Sequence, residues 1–390
     1  MRSPLAALVL CSLAPFAGAR EIPSPAAPGG VHPFLTTTAG GRLLMTWTEP
    51  AGDEHAVKVA SFADGGWSEP RTVVQRSDLF VNWADFPAVA VTPDGTLFAH
   101  WLQKSGAGTY SYDVRVASSR DEGRTWGASR VIHRDGTPTE HGFVSMVPVR
   151  DDAVGVVWLD GRQMKGDHGG DMTLRYARVD AAGRLAREDL LDRRVCECCS
   201  TGMAMAATGP VIVYRDRTAD EVRDISVVRW DRGRWTKPAS LHDDGWTIHG
   251  CPVNGPRIAA REKLVAVAWF TAAREEQRVN VAFSSDGGAT FGAPLRIDGG
   301  SPTGRVDLVL LQDGSALVTW IDGLGEQAHI ALRRVRAGGR LGPIEKLAVS
   351  STARGAGFPR LAVAGEELFV AWTEPSSPRR IRIVARPLPR

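Results

Sequence analysis

The chain reads as an all-β propeller built from four-stranded antiparallel blades, and three observations say so. An apolar strand ending in an aromatic ring returns along the whole length, with the rings about 51 to 57 residues apart. Short alternating runs bounded by Gly, Asp or Pro fill the space between, and no segment keeps a helical period. One eight-residue turn pattern occurs twice at equivalent places in the longer repeat.

The marker rings, in order, are Trp47, Trp101, Trp158, Tyr214, Trp269, Trp320 and Trp372. Before each lies a short strand and a Gly, Asp or Glu turn, as in 88–95. After each comes a polar loop and an alternating strand such as 113–117. Trp67, Trp126, Trp235 and Phe291 then stand near the start of a fourth strand in units 1, 2, 4 and 5. Four short strands per unit, packed radially, make a propeller. A β-sandwich also has short strands, but not one signature at an even spacing over the whole chain. Seven rings predict seven blades. The last unit stops after its third strand, near Ala385, so the N-terminal segment is expected to supply the missing outer strand and close the ring. Blades share faces with their neighbours, so 20–390 reads as one domain.

The turn pattern is Ser-x-Asp-x-Gly-x-Thr-aromatic. One copy runs through Ser119, Asp121, Gly123, Thr125 and Trp126, the other through Ser284, Asp286, Gly288, Thr290 and Phe291. The Asp can accept hydrogen bonds from its own turn, the Gly can take a positive φ, and the ring folds back under the loop. These octets resemble the Asp-box (BNR) repeats of the sialidase superfamily. That resemblance implies a propeller and offers a six-bladed alternative, since the catalytic sialidase domain has six. It says more about architecture than about activity.

Residues 1–19 have the form of a secretory signal, with Arg2, an apolar stretch 5–13 and Ala17-Gly18-Ala19 as a cleavage site. The apolar run is shorter than a membrane span. The reading is therefore a secreted or periplasmic protein without a transmembrane anchor. A net charge of +3, with both signs interspersed, gives no nucleic-acid surface.

In a propeller the loops after each second strand, and those leading into each blade, share one rim, and the octet turns lie at the other. Polar residues crowd the first rim over blades 3 to 5, where a glycan or other small anionic ligand is expected. Glu140 and His141 lie on the way into blade 3. Four cysteines remain after signal removal: Cys196, Cys198 and Cys199 on the way into blade 4, and Cys251 on the way into blade 5, with His249 nearby. In an exported chain these form disulfides, one of which would clip blade 4 to blade 5. The alternative is a soft-metal site for copper or zinc, because thiolate and imidazole suit both.

Catalytic sialidases grip a carboxylate with three arginines and use a Tyr nucleophile, a Glu and an Asp acid/base. Their N-terminal Arg-Ile-Pro motif is absent here, where the chain reads Val31-His32-Pro33-Phe34-Leu35. The local candidates are Asp160, Arg162, Tyr214, Arg215, Asp216, Arg217 and Glu221, a set able to hold an acidic sugar through forked arginine pairs. Alternatively these charges pair with one another. The resemblance implies exo-glycosidase action on an acidic glycan. The rivals are a non-catalytic propeller scaffold and a periplasmic metal-binding protein.

Overall fold

A computed structural model describes residues 19–164 and 169–388. Residues 1–18, and with them nearly all of the signal read from the sequence, lie outside these.

The described residues form seven antiparallel sheets in a ring, a seven-bladed propeller with only three short 3-10 turns. Blade 3 is representative: His141–Arg150, Ala153–Asp160, Met172–Asp180 and Asp189–Val195, each strand pairing with the next. Blades 1 and 4 each carry an extra two-residue strand, Gly66–Trp67 and Arg234–Trp235, ahead of the outer one. The ring closes as expected. Arg20–Ile22 is the outer strand of blade 7, with Arg20 opposite Ala385 and Ile22 opposite Ile383. Closure by both ends of the chain protects the last sheet edge.

Each second strand is buried on both faces, which explains its continuous apolar run. Seven apolar clusters fill the seven gaps between neighbouring blades. All seven marker rings are buried in them. Three of the buried indole N–H groups find a carboxylate acceptor, while those of Trp101 and Trp320 have none. Trp47 donates to Glu49 at 2.7 Å, Trp158 to Asp160 at 2.8 Å and Trp269 to Asp244 at 2.7 Å.

The two octets fold identically. In the first, Ser119 Oγ donates to Asp121 Oδ1 (2.8 Å), and Asp121 accepts the backbone N–H (2.9 Å) and the hydroxyl (2.6 Å) of Thr125. The second repeats this through Ser284, Asp286 and Thr290. Gly123 and Gly288 sit at φ +84° and +82°, and each donates its N–H to the Ser hydroxyl four residues before it. These hydrogen bonds to the ionised form hold the Asp121 and Asp286 carboxyls below the usual range. A depressed pKa means stability present above the ordinary carboxylate range and lost as pH falls through the folded value. Asp121→Ala is therefore expected to lower the melting temperature at pH 7, less so near pH 2, and to leave cysteine reactivity at the other rim unchanged. A loss of rim chemistry at constant melting temperature would contradict a purely structural turn.

Candidate functional site

The loops leading into the blades meet over the axis and are tied together in sequence. Asp85 Oδ2, ahead of blade 2, accepts the N–H of Phe143 in blade 3 at 2.6 Å. The Phe143 carbonyl accepts the Thr201 hydroxyl of blade 4 at 2.8 Å. Asn254, ahead of blade 5, donates its N–H to Cys199 Sγ (3.4 Å), and its Oδ1 accepts the Arg305 N–H of blade 6 (2.7 Å). The Arg305 guanidinium donates to the carbonyls of Thr352, Ala353 and Gly357 ahead of blade 7. Arg360 of blade 7 lies over Phe34 and Phe86 of blades 1 and 2, at 5.2 and 4.7 Å. It is only 2% exposed, and its Nε and Nη1 have no hydrogen-bond partner. Burial lowers its pKa to about 9. The partly buried Trp83 carries Arg305 on its ring at 4.9 Å and the exposed Arg354 at 5.8 Å.

Over blades 3 to 5 the sulphurs gather. Cys196 Sγ lies 3.4 Å from Cys199 Sγ and 3.9 Å from Cys198 Sγ, and Cys198 hydrogen-bonds Cys251. No disulfide joins any of the four, so the clip between blades 4 and 5 expected from the sequence is not formed here. The sulphurs of Cys196, Cys198 and Cys199 lie within 4.8 Å of one another, within reach of one metal ion. Burial opposes ionisation of Cys196. The hydrogen bonds from Cys198 and Cys199, with Arg223 Nη1 at 3.3 Å, outweigh it and hold this thiol well below its ordinary range. His249 is exposed and outside the three-sulphur group. Met203, downstream, packs in the core between blades 3 and 4.

The remaining candidates fall into two groups. Arg217 bridges Glu197 and Glu221, and Arg223 bridges the same two carboxylates at 2.7 and 2.8 Å. This half-buried network faces the cysteines. Arg215 does not join it. Its guanidinium is buried, donates to the carbonyls of Arg223, Asn254 and Phe270, and stacks on Trp246 at 4.7 Å. Tyr214 is fully buried and donates to Asp192 at 2.5 Å, so its ring fills the marker position of blade 4. Asp216 accepts from Arg217 N–H and the Ser226 hydroxyl, and burial raises it to about 6. Asp160 is fully buried in blade 3. It accepts the Trp158 indole and a forked pair from Arg162 at 2.7 and 2.6 Å.

Beside this network lies an acid that the residue pattern did not single out for chemistry. Glu140, half-buried, accepts the Tyr112 hydroxyl at 2.7 Å, and its own carbonyl is held by Gly161 N–H at 2.8 Å. Tyr112 is fixed by stacking on Phe80, centroids 4.0 Å apart. Burial pushes the Glu140 carboxyl up to about 7, and the Glu197 carboxylate adds to the rise. Burial does the same to Asp85, also to about 7. The partner that marks Glu140 is 28 residues away, in the third strand of blade 2, so the loop pattern gave no signal.

No protein-family model matches this chain, and no curated protein matches it. Solved structures do. A protein of unknown function from Dyadobacter fermentans superposes with a TM-score of 0.56 at 13% identity, over 96% of this chain and 100% of that one. An α-L-arabinofuranosidase from Fusarium graminearum gives 0.50 at 13%, over 95% and 97%. The NanB sialidase of Streptococcus pneumoniae gives 0.49 at 11%, over 93% and 69%. At these identities the likeness is one of fold.

Proposed function

We propose that this chain is a glycan-active propeller that cleaves a glycosidic bond on the loop rim over blades 3 to 5. One observation carries the reading: Glu140, a half-buried carboxyl poised near 7, stands beside Glu197, a carboxylate gripped by Arg217 and Arg223. Two carboxyls in different environments are what glycoside chemistry needs. With Tyr112 donating to Oε1, Glu140 keeps its proton on the other oxygen and passes it to the leaving oxygen as the C–O bond breaks; a water molecule then adds to the anomeric carbon and gives its proton back to Glu140. Glu197 stabilises the positive charge growing on the sugar ring. Arg217 and Glu221, both partly exposed, border the sugar. The fold, which an arabinofuranosidase also uses, agrees with this reading; sialidase specificity is one form of it. No helix of the described residues is long and apolar enough to cross a membrane. The test is a panel of fluorogenic glycosides that includes an α-sialoside, an α-L-arabinofuranoside and a uronide. Turnover is expected to fall as pH rises through about 7, because the acid form is lost. No turnover of any member between pH 4 and 8 would leave a binding scaffold as the better account.

A second reading rests on the sulphurs. The three thiols within reach of one ion, with Cys251 as a fourth donor, suit Cu(I) or Zn(II). Purified protein is then expected to carry about one equivalent of metal and to show reactive thiols only after chelation. Four thiols reactive without chelation would sink it, and a metal-free protein with no free thiol would show disulfides instead.

A further inference from the structure

A second cluster lies at the same rim between blades 2 and 3. His133 and His141 stack face to face, ring centroids 3.6 Å apart and 4° from parallel. Their side chains are 2% and 0% exposed. Asp113, Asp135 and Asp160 surround them.

The neighbours place the ring hydrogens. His141 Nδ1 lies 3.1 Å from the Thr139 carbonyl oxygen and 3.2 Å from that of Tyr112. Carbonyls only accept, so Nδ1 is the donor. His133 Nδ1 donates in the same way to Asp135 Oδ1 at 2.8 Å. Both Nε2 atoms are buried with no well-aligned hydrogen bond, only carboxylate oxygens at 3.3 and 3.4 Å. His141 Nε2 faces Asp135 Oδ2 at 3.3 Å and Asp160 Oδ2 at 3.7 Å, and His133 Nε2 faces Asp113 Oδ1 at 3.4 Å.

A buried lone pair aimed at carboxylate oxygens is repelled unless something positive stands between them. Protons on both rings would press two imidazolium ions face to face. Arg162 supplies part of the charge, with Nη2 2.6 Å from Asp160 and 3.3 Å from Asp135, but its Nη1 is turned to Glu188 at 2.9 Å. An imidazole that donates one N–H to a backbone carbonyl and presents the other nitrogen to carboxylates is oriented as metal-binding histidines are.

We propose that Asp135, His141 and Asp160 form a divalent-cation site of nitrogen and oxygen donors, with His133 and Asp113 orienting it. Their ligand atoms all lie within 4.8 Å of one another. This donor set takes Mn(II), Fe(II) or Zn(II) and is separate in chemistry from the thiols.

Mn(II) is the probe, because thiolates bind it poorly. Chelator-treated wild-type protein is titrated with Mn(II), and the free ion is read by its paramagnetic resonance signal. One Mn(II) per chain is expected, displaced by Zn(II). Asp135→Asn and His141→Gln should each weaken binding at least about tenfold. Asp135, whose side chain is 7% exposed against 0% for His141, carries the test if the His141 variant does not fold, and circular dichroism checks both. Absence of Mn(II) binding to wild type, or unchanged affinity in a folded Asp135→Asn protein, overturns the site. So does a nitrogen chemical shift showing that His141 stays an imidazolium in the presence of Mn(II) or Zn(II), which would leave a proton as the positive group.

Discussion

Glu140→Gln is expected to lower glycoside turnover by about 10²–10⁴-fold, the usual contribution of a positioned general acid. The amide matches the carboxyl in shape and still accepts the Tyr112 hydroxyl through its oxygen. It cannot give up a proton to a leaving oxygen. The melting temperature should therefore hold while kcat falls, and KM should change little, because the lost interaction forms only as the bond breaks. The high-pH limb near 7 should disappear with the residue that sets it. A substrate with a good leaving group should lose much less, since it needs little protonation. Equal losses on good and poor leaving groups, or an unchanged pH profile, would move the acid elsewhere on the rim. Asp85, similarly raised, is then the next carboxyl to test, although its oxygen already holds the Phe143 N–H.

Arg215→Ala is expected to cost about 3–5 kcal/mol of stability, measured by urea unfolding. The guanidinium is 1% exposed, and it joins blade 4 to blade 5 through the Asn254 and Phe270 carbonyls. Removing it leaves buried carbonyls without donors and a cavity beside Trp246. Lys should recover only part of the loss, because one ammonium cannot span three carbonyls. Arg217→Ala makes the contrast. It lies in a partly exposed ion-pair network, so it should cost about 1 kcal/mol or less while disturbing Glu197 at the site. If Arg215→Ala were as mild, the idea that the loops over the axis are locked to one another would be wrong.

The sequence by itself determined the architecture. A blade repeats one packing problem, and each solution leaves the same trace: an apolar strand ending in a buried ring. Trp47 and Trp158 could be read together with their N–H acceptors because the acceptor is two residues away, whereas Trp269 reaches Asp244, 25 residues back. The octets were legible for the same reason, since every hydrogen bond in them spans four residues or fewer. Blade closure was legible because an unpaired outer strand at one end calls for a strand from the other.

What only the tertiary structure decided is how charges divide between structure and chemistry. Arg215, Arg217 and Arg223 look alike in one loop. One is spent on carbonyls of the next blade, and two are balanced by Glu197 and Glu221. Tyr214 reads both as the blade-4 marker ring and as a nucleophile candidate beside arginines, and the hydroxyl fully buried against Asp192 leaves it as the ring. Glu140 reads as one loop acid among many, and becomes distinct only when Tyr112 of another blade and Glu197 of the next loop stand beside it. The physical reason is the same in each case. Burial and the sign of the nearest charge set what a titratable group can do, and both come from residues far apart in the chain.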